Sequence, residues 1–126
     1  MNRPAPAEET PRTYLVIIND GPYGQERPYT ALRLAVNLAK RRDLKVRVHL
    51  AGDGVQCAIA GQTPPEGIPN IEHMVRSLVQ HGEVGYSGLS AEMRGFKPRV
   101  LIEGVKHVSP DVLAEWATTA EHILVF

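Results

Sequence analysis

The sequence predicts an α/β fold, a parallel sheet covered by helices on both faces. Three observations carry this. Tyr14–Ile18, YLVII, is an unbroken apolar run rich in β-branched residues, the pattern of a strand buried on both sides. Ile71, Met74, Val75, Leu78 and Val79 repeat at helical spacing, the cleanest such stripe in the chain. Strand-like and helix-like segments then alternate to the end, as repeated strand–helix–strand units require.

The elements follow in order. Met1–Arg12 holds three prolines and no periodicity, so it reads as a disordered arm ahead of a single domain, Thr13–Phe126. After the first strand, Asn19–Gly24 is dense turn chemistry. Pro28 suits a helix start, and Leu32, Ala35, Val36 and Ala39 give that helix its apolar face, over about Pro28–Arg41. Lys45–Leu50, KVRVHL, alternates polar and apolar and predicts the second strand. Gly52-Asp-Gly54 breaks it. Val55–Ala60 is long enough for one or two helical turns, and Gln62–Pro69 is a proline-rich loop. Asn70 caps the next helix, which runs to about His81 with Gly82 as its stop.

Glu83–Tyr86 predicts a short third strand. Ser87–Arg94 predicts a short capped helix closed by Gly95, and Pro98 opens a further turn through Leu101. Val105–Val108 is a fourth strand. Ser109-Pro110-Asp111 is a strong helix opening, with a cap, a proline at the first position and an acid near the positive pole. Val112, Leu113, Trp116, Ala117 and Ala120 form the stripe of that helix, and His122–Phe126 predicts a last buried strand.

The bulk composition narrows the function. With 126 residues, 43% hydrophobic and 22% charged, the chain has the profile of a one-domain globular protein that needs no staple. Zero formal net charge points away from a nucleic acid or an anionic membrane as partner. It also leaves little repulsion between copies, which permits self-association. One cysteine and no CxxC pair predict a reducing, cytoplasmic setting. The N-terminus lacks the apolar stretch of a signal peptide, and no run reaches transmembrane length.

Parallel topology brings the loops after the strands to one edge, where open α/β sheets bind ligands. Three loops should meet there: Asn19–Arg27, Ala51–Gly61 and Tyr86–Arg94. They offer Asn19, Asp20, Tyr23, Asp53, Ser87, Ser90 and Arg94 as a cleft. Cys57, the one thiol, is the candidate catalytic residue. A cysteine near a helix N-terminus has a lowered pKa and a reactive thiolate; its alternative role is a small buried wall of the turn. Ser87 and Ser90 offer hydroxyl donors to an anion, or else Ser87 caps the following helix. Asp20 and Asp53 line the cleft or bond their own turns. Arg94 binds an anion or pairs with an acid. His49 and His122 flank strands, and His73 and His81 lie on a solvated helix face. No histidine pairs with another ligand at zinc spacing, so no metal site is predicted. Gly52–Gly54 is a fragment of a phosphate loop without the rest of the motif, and no cofactor is expected. Gly85-Tyr-Ser-Gly88 is not a serine-hydrolase elbow.

Four strings make the chain similar to the DsrE/DsrF-like family of small sulfur-relay and related proteins: GPYGQERPYTALRLAVNLAK, AGDGVQCAIAGQTPPEGIPNIEHMV, SAEMRG and LAEWATTAEHILVF. The resemblance spans Tyr14–Phe126. It implies a three-layer α/β/α domain with a mainly parallel five-stranded sheet, and homo-oligomers, commonly trimers or hexamers, with sites near subunit contacts. In sulfur-relay members a cysteine after the third strand carries a persulfide, in a segment many relatives write C-G-x-C before a short helix and Arg-Gly. Here that segment is Ser87-Gly-Leu-Ser90, followed by Ala91-Glu-Met-Arg-Gly95. A hydroxyl cannot take the thiolate's part in sulfur transfer.

Two functions therefore compete. One is a persulfide handler with Cys57 as acceptor, served by a sulfur-donor or acceptor protein. The other is a non-catalytic oligomeric module that binds a small anion or a partner.

Overall fold

The computed structural model describes residues 10–126. Most of the expected arm, Met1–Glu9, lies outside them; Arg12 already belongs to the first strand. In chain order the elements are β1 (Arg12–Ile18), α1 (Arg27–Ala39), β2 (Leu44–Leu50), a 3-10 turn (Gly52–Ala58), α2 (Ile71–His81), β3 (Glu83–Ser87), α3 (Gly88–Met93), a 3-10 turn (Pro98–Val100), β4 (Lys106–Val108), α4 (Pro110–Thr119) and β5 (His122–Val125). The five strands form one sheet in the order β4-β3-β2-β1-β5, and every pair is parallel.

That order explains the layers. From β1 to β4 the chain steps steadily one way across the sheet, and right-handed crossovers then put the intervening helices on one face. The step from β4 to β5 runs back past β1, so α4 falls on the other face. The cores divide accordingly. Val16, Ile18, Val46, Val48, Leu50 and Val84 pack against Leu32 and Ala35 of α1 and Val75 and Leu78 of α2. Beneath α4, among the described residues, the buried apolar cluster is smaller: Leu15, Val108 and Trp116. Each large aliphatic side chain enclosed this way contributes about 1.5–3 kcal/mol, so the α1–α2 face carries most of the stability.

Local signals set the element ends. Asn70 accepts a hydrogen bond from His73 N at the head of α2, and Ser109 accepts one from Val112 N at the head of α4. α1 stops at Ala39, two residues earlier than its periodicity predicts. The last strand departs from expectation. β5 is an edge strand, not a buried one: Ile123 is 45% and Val125 64% exposed. It pairs with β1 on one side, and their side chains share the α4 face with Leu15 and Ile17, which one ten-residue helix is too short to cover. Among the described residues no helix is long and apolar enough to cross a membrane.

Candidate functional site

The loops after β1, β2 and β3 meet at the C-terminal edge of the sheet. Ala51 N donates to Ile18 O at 2.9 Å, tying the second loop to the end of β1. Gly54 lies so close to β1 that any Cβ would collide with the Ile18 carbonyl oxygen, which is why a glycine-rich turn follows β2. The third loop is tied to the second: Gly52 N donates to Ser90 Oγ at 2.9 Å, and Arg94 donates to Asp53 Oδ1 from Nε at 3.0 Å and from Nη2 at 2.9 Å.

Ser87, Ser90, Asp53 and Arg94 thus form one cluster whose polar atoms mostly serve one another. Ser87 Oγ accepts from Ser90 N and caps α3. Arg94 Nη1 donates to the Ser90 carbonyl at 3.1 Å. With its guanidinium committed to Asp53, Arg94 is a poor anion anchor.

The remaining cleft candidates are dispersed. Asn19 turns toward the far edge, where its Nδ2 donates to Phe126 O at 3.2 Å. Asp20 faces Arg27 at 3.5 Å. Tyr23 points away from the serines; its hydroxyl donates to Gln62 Oε1 at 2.6 Å and accepts from Ile71 N at 3.1 Å. It therefore braces the start of α2, and does so from a left-handed backbone, φ 67°, a strained conformation for a tyrosine.

Cys57 overturns the expectation of a lowered pKa. It is fully buried, and desolvation pushes its thiol up to about 12, with a lesser push from the Asp20 charge. Its Sγ lies 3.8 Å from the Asp20 carbonyl oxygen, in the outward-closed seam between the first two loops. The physical reason is position: Cys57 sits near the end of the Gly52–Ala58 turn, where no helix N-terminus favours a thiolate.

Glu72, a buried acid that sequence reading passed over, organises the proline-rich loop. Burial alone would raise its pKa. Hydrogen bonds from Arg76 and from the amides of Gln62 and Gly61 outweigh that and hold it below the usual carboxylate value.

His49 does not flank β2 but lies inside it, within the predicted stretch Lys45–Leu50; it is 2% exposed, and among the described residues its Nδ1 has no hydrogen-bond partner. It belongs to the α4 face, beside Gly85 in the register. Between the ends of β2 and β3 and the head of α4 is a cavity of about 200 Å3 lined by His49, Ser87, Leu89, Val108, Pro110 and Leu113. His107 and Gly88 separate it from a second hollow of about 370 Å3 beside Tyr86 and Phe96. KVRVHL shows the position of this residue, one place from the end of the strand at the edge where sites form, but not its burial.

A model of the DsrE/DsrF-like family matches residues 12–126. The chain belongs to the DsrE/DsrF-like family. It is 34% identical over 112 residues to an uncharacterised protein of Methanopyrus kandleri, covering 88% of this chain and 91% of that one. It is 33% identical over 114 residues to protein YchN of Escherichia coli, covering 89% and 97%. The crystal structure of YchN superposes with a TM-score of 0.85, covering 91% of this chain and 99% of that one at 32% identity. A protein of unknown function from Methanobacterium thermoautotrophicum shares the fold, with a TM-score of 0.70 at 18% identity and coverage of 91% and 99%. The DsrE-like α/β fold and the all-parallel five-stranded sheet of this family member agree with the expectation from sequence.

Proposed function

We propose that this member of the DsrE/DsrF-like family is a non-catalytic binding module, homo-oligomeric and cytoplasmic, that uses the C-terminal edge of its sheet and does not carry sulfur. The observation that carries the reading is the state of Cys57. Taking up a sulfane sulfur requires a thiolate that reaches the donor, and this thiol is enclosed and pushed up to about 12. Ser87 and Ser90 stand where the family resemblance puts the carrier, and their oxygens hold loop amides. The pairing of Arg94 with Asp53 favours an uncharged ligand or a partner segment over a free anion. Exposed apolar side chains support assembly: Leu89 and Met93 one turn apart on α3, and Ile123 and Val125 on β5. A lone thiol suits a reducing compartment.

The test is intact-mass spectrometry of the folded chain after incubation with glutathione persulfide. The expected spectrum shows no added sulfur, while the same chain opened with guanidinium gains it on Cys57. One sulfur retained on Cys57 of the folded protein would overturn the reading and restore the persulfide-handling role.

A further inference from the structure

We propose that the outer edge of β5 docks a second copy of this chain, strand to strand and antiparallel, about a two-fold axis at Leu124. The inference rests on the homo-oligomeric part of the proposed function and names its surface.

β5 is the last strand of the sheet and pairs with β1 alone. Its backbone divides between two sides. Phe126 N donates to Ile17 O, and Phe126 O accepts from Asn19 N, so Phe126 turns both of its backbone groups toward β1. Along a strand these groups alternate in direction from one residue to the next. Leu124 therefore faces β1 as well. Ile123 and Val125 point their N–H and C=O groups outward, where no strand among the described residues meets them. Such a row is a template for another strand.

The opposite edge of the sheet shows what is missing here. β4 is three residues long and carries Lys106, whose ammonium donates to Glu83. A short strand and a lysine are both devices that blunt an edge. β5 has neither lysine nor proline, and Ile123-Leu-Val-Phe126 bears no charge. The side chains of Ile123 and Val125 stand exposed on the α4 face beside the open backbone groups. Native proteins protect a free edge or cover it, and this one is unprotected.

The sequence selects the occupant. With the axis at Leu124, Ile123 lies opposite the partner's Val125 and exchanges both backbone bonds with it. Val125 does the same with the partner's Ile123, and Leu124 meets its own copy in the intervening non-bonded pair. Every outward group gains a mate, and β-branched apolar side chains oppose each other on the α4 face, a favourable cross-strand pair. No like charges meet, because none lies between Ile123 and Phe126. The contact is self-complementary and closes on itself, as a two-fold dimer contact must.

The test uses NMR on the full chain, with its association followed by sedimentation. A mixed sample of 15N-labelled and 13C-labelled chains should give NOEs from the Ile123 amide of one copy to the Val125 methyls of the other. The Ile123 and Val125 amides, which have no partner within one copy, should exchange with solvent at least tenfold more slowly than unpaired amides. Val125→Lys alters an exposed side chain and adds the charge that edges commonly carry. It should weaken association at least tenfold and release the Ile123 amide, with the core signals unchanged. Unprotected Ile123 and Val125 amides in an associated chain would overturn the seam and leave the homo-oligomeric reading standing. A chain that sediments as a monomer at every concentration would overturn both. Protection without NOEs between copies would give the edge to a segment of the same chain, and Val125→Lys associating like the parent would place the contact elsewhere; either result sinks the proposal.

Discussion

Arg94 and Asp53 join two loops that are 41 residues apart in sequence: both Nε and Nη2 of the arginine converge on a single oxygen, Oδ1, at 3.0 and 2.9 Å. The Asp53 side chain is 62% exposed and Arg94 29%, so water screens most of the attraction. Arg94→Ala should therefore cost only about 0.5–1.5 kcal/mol, including the lost bond to the Ser90 carbonyl. Asp53→Asn should cost less. Urea unfolding of the two variants checks the order, and a loss several times larger for Arg94→Ala would show that the arginine does more than tie loops.

Cys57 should be silent to thiol reagents. With its pKa near 12, roughly one molecule in 10^5 carries the thiolate at neutral pH, against a few per cent for an ordinary cysteine. Labelling by a chromogenic disulfide should follow opening of the fold, and should be complete at once in guanidinium. Cys57→Ala should fold, at a cost of roughly 1–2 kcal/mol for the small cavity it leaves. Rapid labelling in native buffer would contradict the enclosure.

Burial lowers the pKa of His49 below its ordinary 6.5. The unfolded chain then binds a proton near pH 6.5 that the folded chain refuses. Stability attributable to this residue is constant above that pH, and falls as pH drops from 6.5 to the lowered native value. The slope approaches about 1.4 kcal/mol per pH unit for one such proton. Glu72 and Glu83 act in a more acid window: both are held below 4.5, so their contribution is full above 4.5 and lost as pH falls through their native values. Between pH 7 and pH 5 the denaturant midpoint of the parent should fall relative to that of His49→Phe. Parallel curves would refute the assignment.

Gly88 opens α3 with no room for a side chain, since a Cβ would overlap the imidazole of His107. That ring stands edge-on to Tyr86, with centroids 5.8 Å apart. Gly88→Ala should displace His107 and cost about 1 kcal/mol, the scale of an aromatic pair with its strain. In a His107→Ala background the same substitution should be close to neutral. A double-mutant cycle reads the coupling directly, and additive effects would show that Gly88 is needed for its backbone instead.

Much of this fold was legible because local signals agreed with global needs. Asn70, Gly82 and Ser109 each mark a helix end where the structure has one, and YLVII could hardly be anything but a central strand. The exposure of β5 was not legible. HILVF reads as buried because it is apolar, and its place at the edge depends on strand order, which no local pattern encodes. The site divides the same way. The meeting of three loops follows from parallel topology, so Asp53, Ser87, Ser90 and Arg94 were found together. Asn19 and Tyr23 left the group because side-chain direction after a turn is set by tertiary partners, Phe126 and Ile71. Cys57 stood out by its chemistry alone; its packing, fixed by neighbours far along the chain, removes that chemistry. His49 shares the polar face of KVRVHL with Lys45 and Arg47, so its burial on the α4 face is not legible in the strand itself.

The strand order also carries a kinetic consequence. β1 ends up between β2 and β5, yet its second neighbour is the last strand in the sequence; Asn19 and Phe126, which bond at that seam, are 107 residues apart. Closing so long a loop is entropically expensive, and such pairings form late. Until that pairing forms, one side of β1 is an open edge. The chain is most prone to stick to a second molecule just before its final strand docks, and a variant that delays docking of His122–Val125 should be recognised first by aggregation during refolding, with native stability little changed.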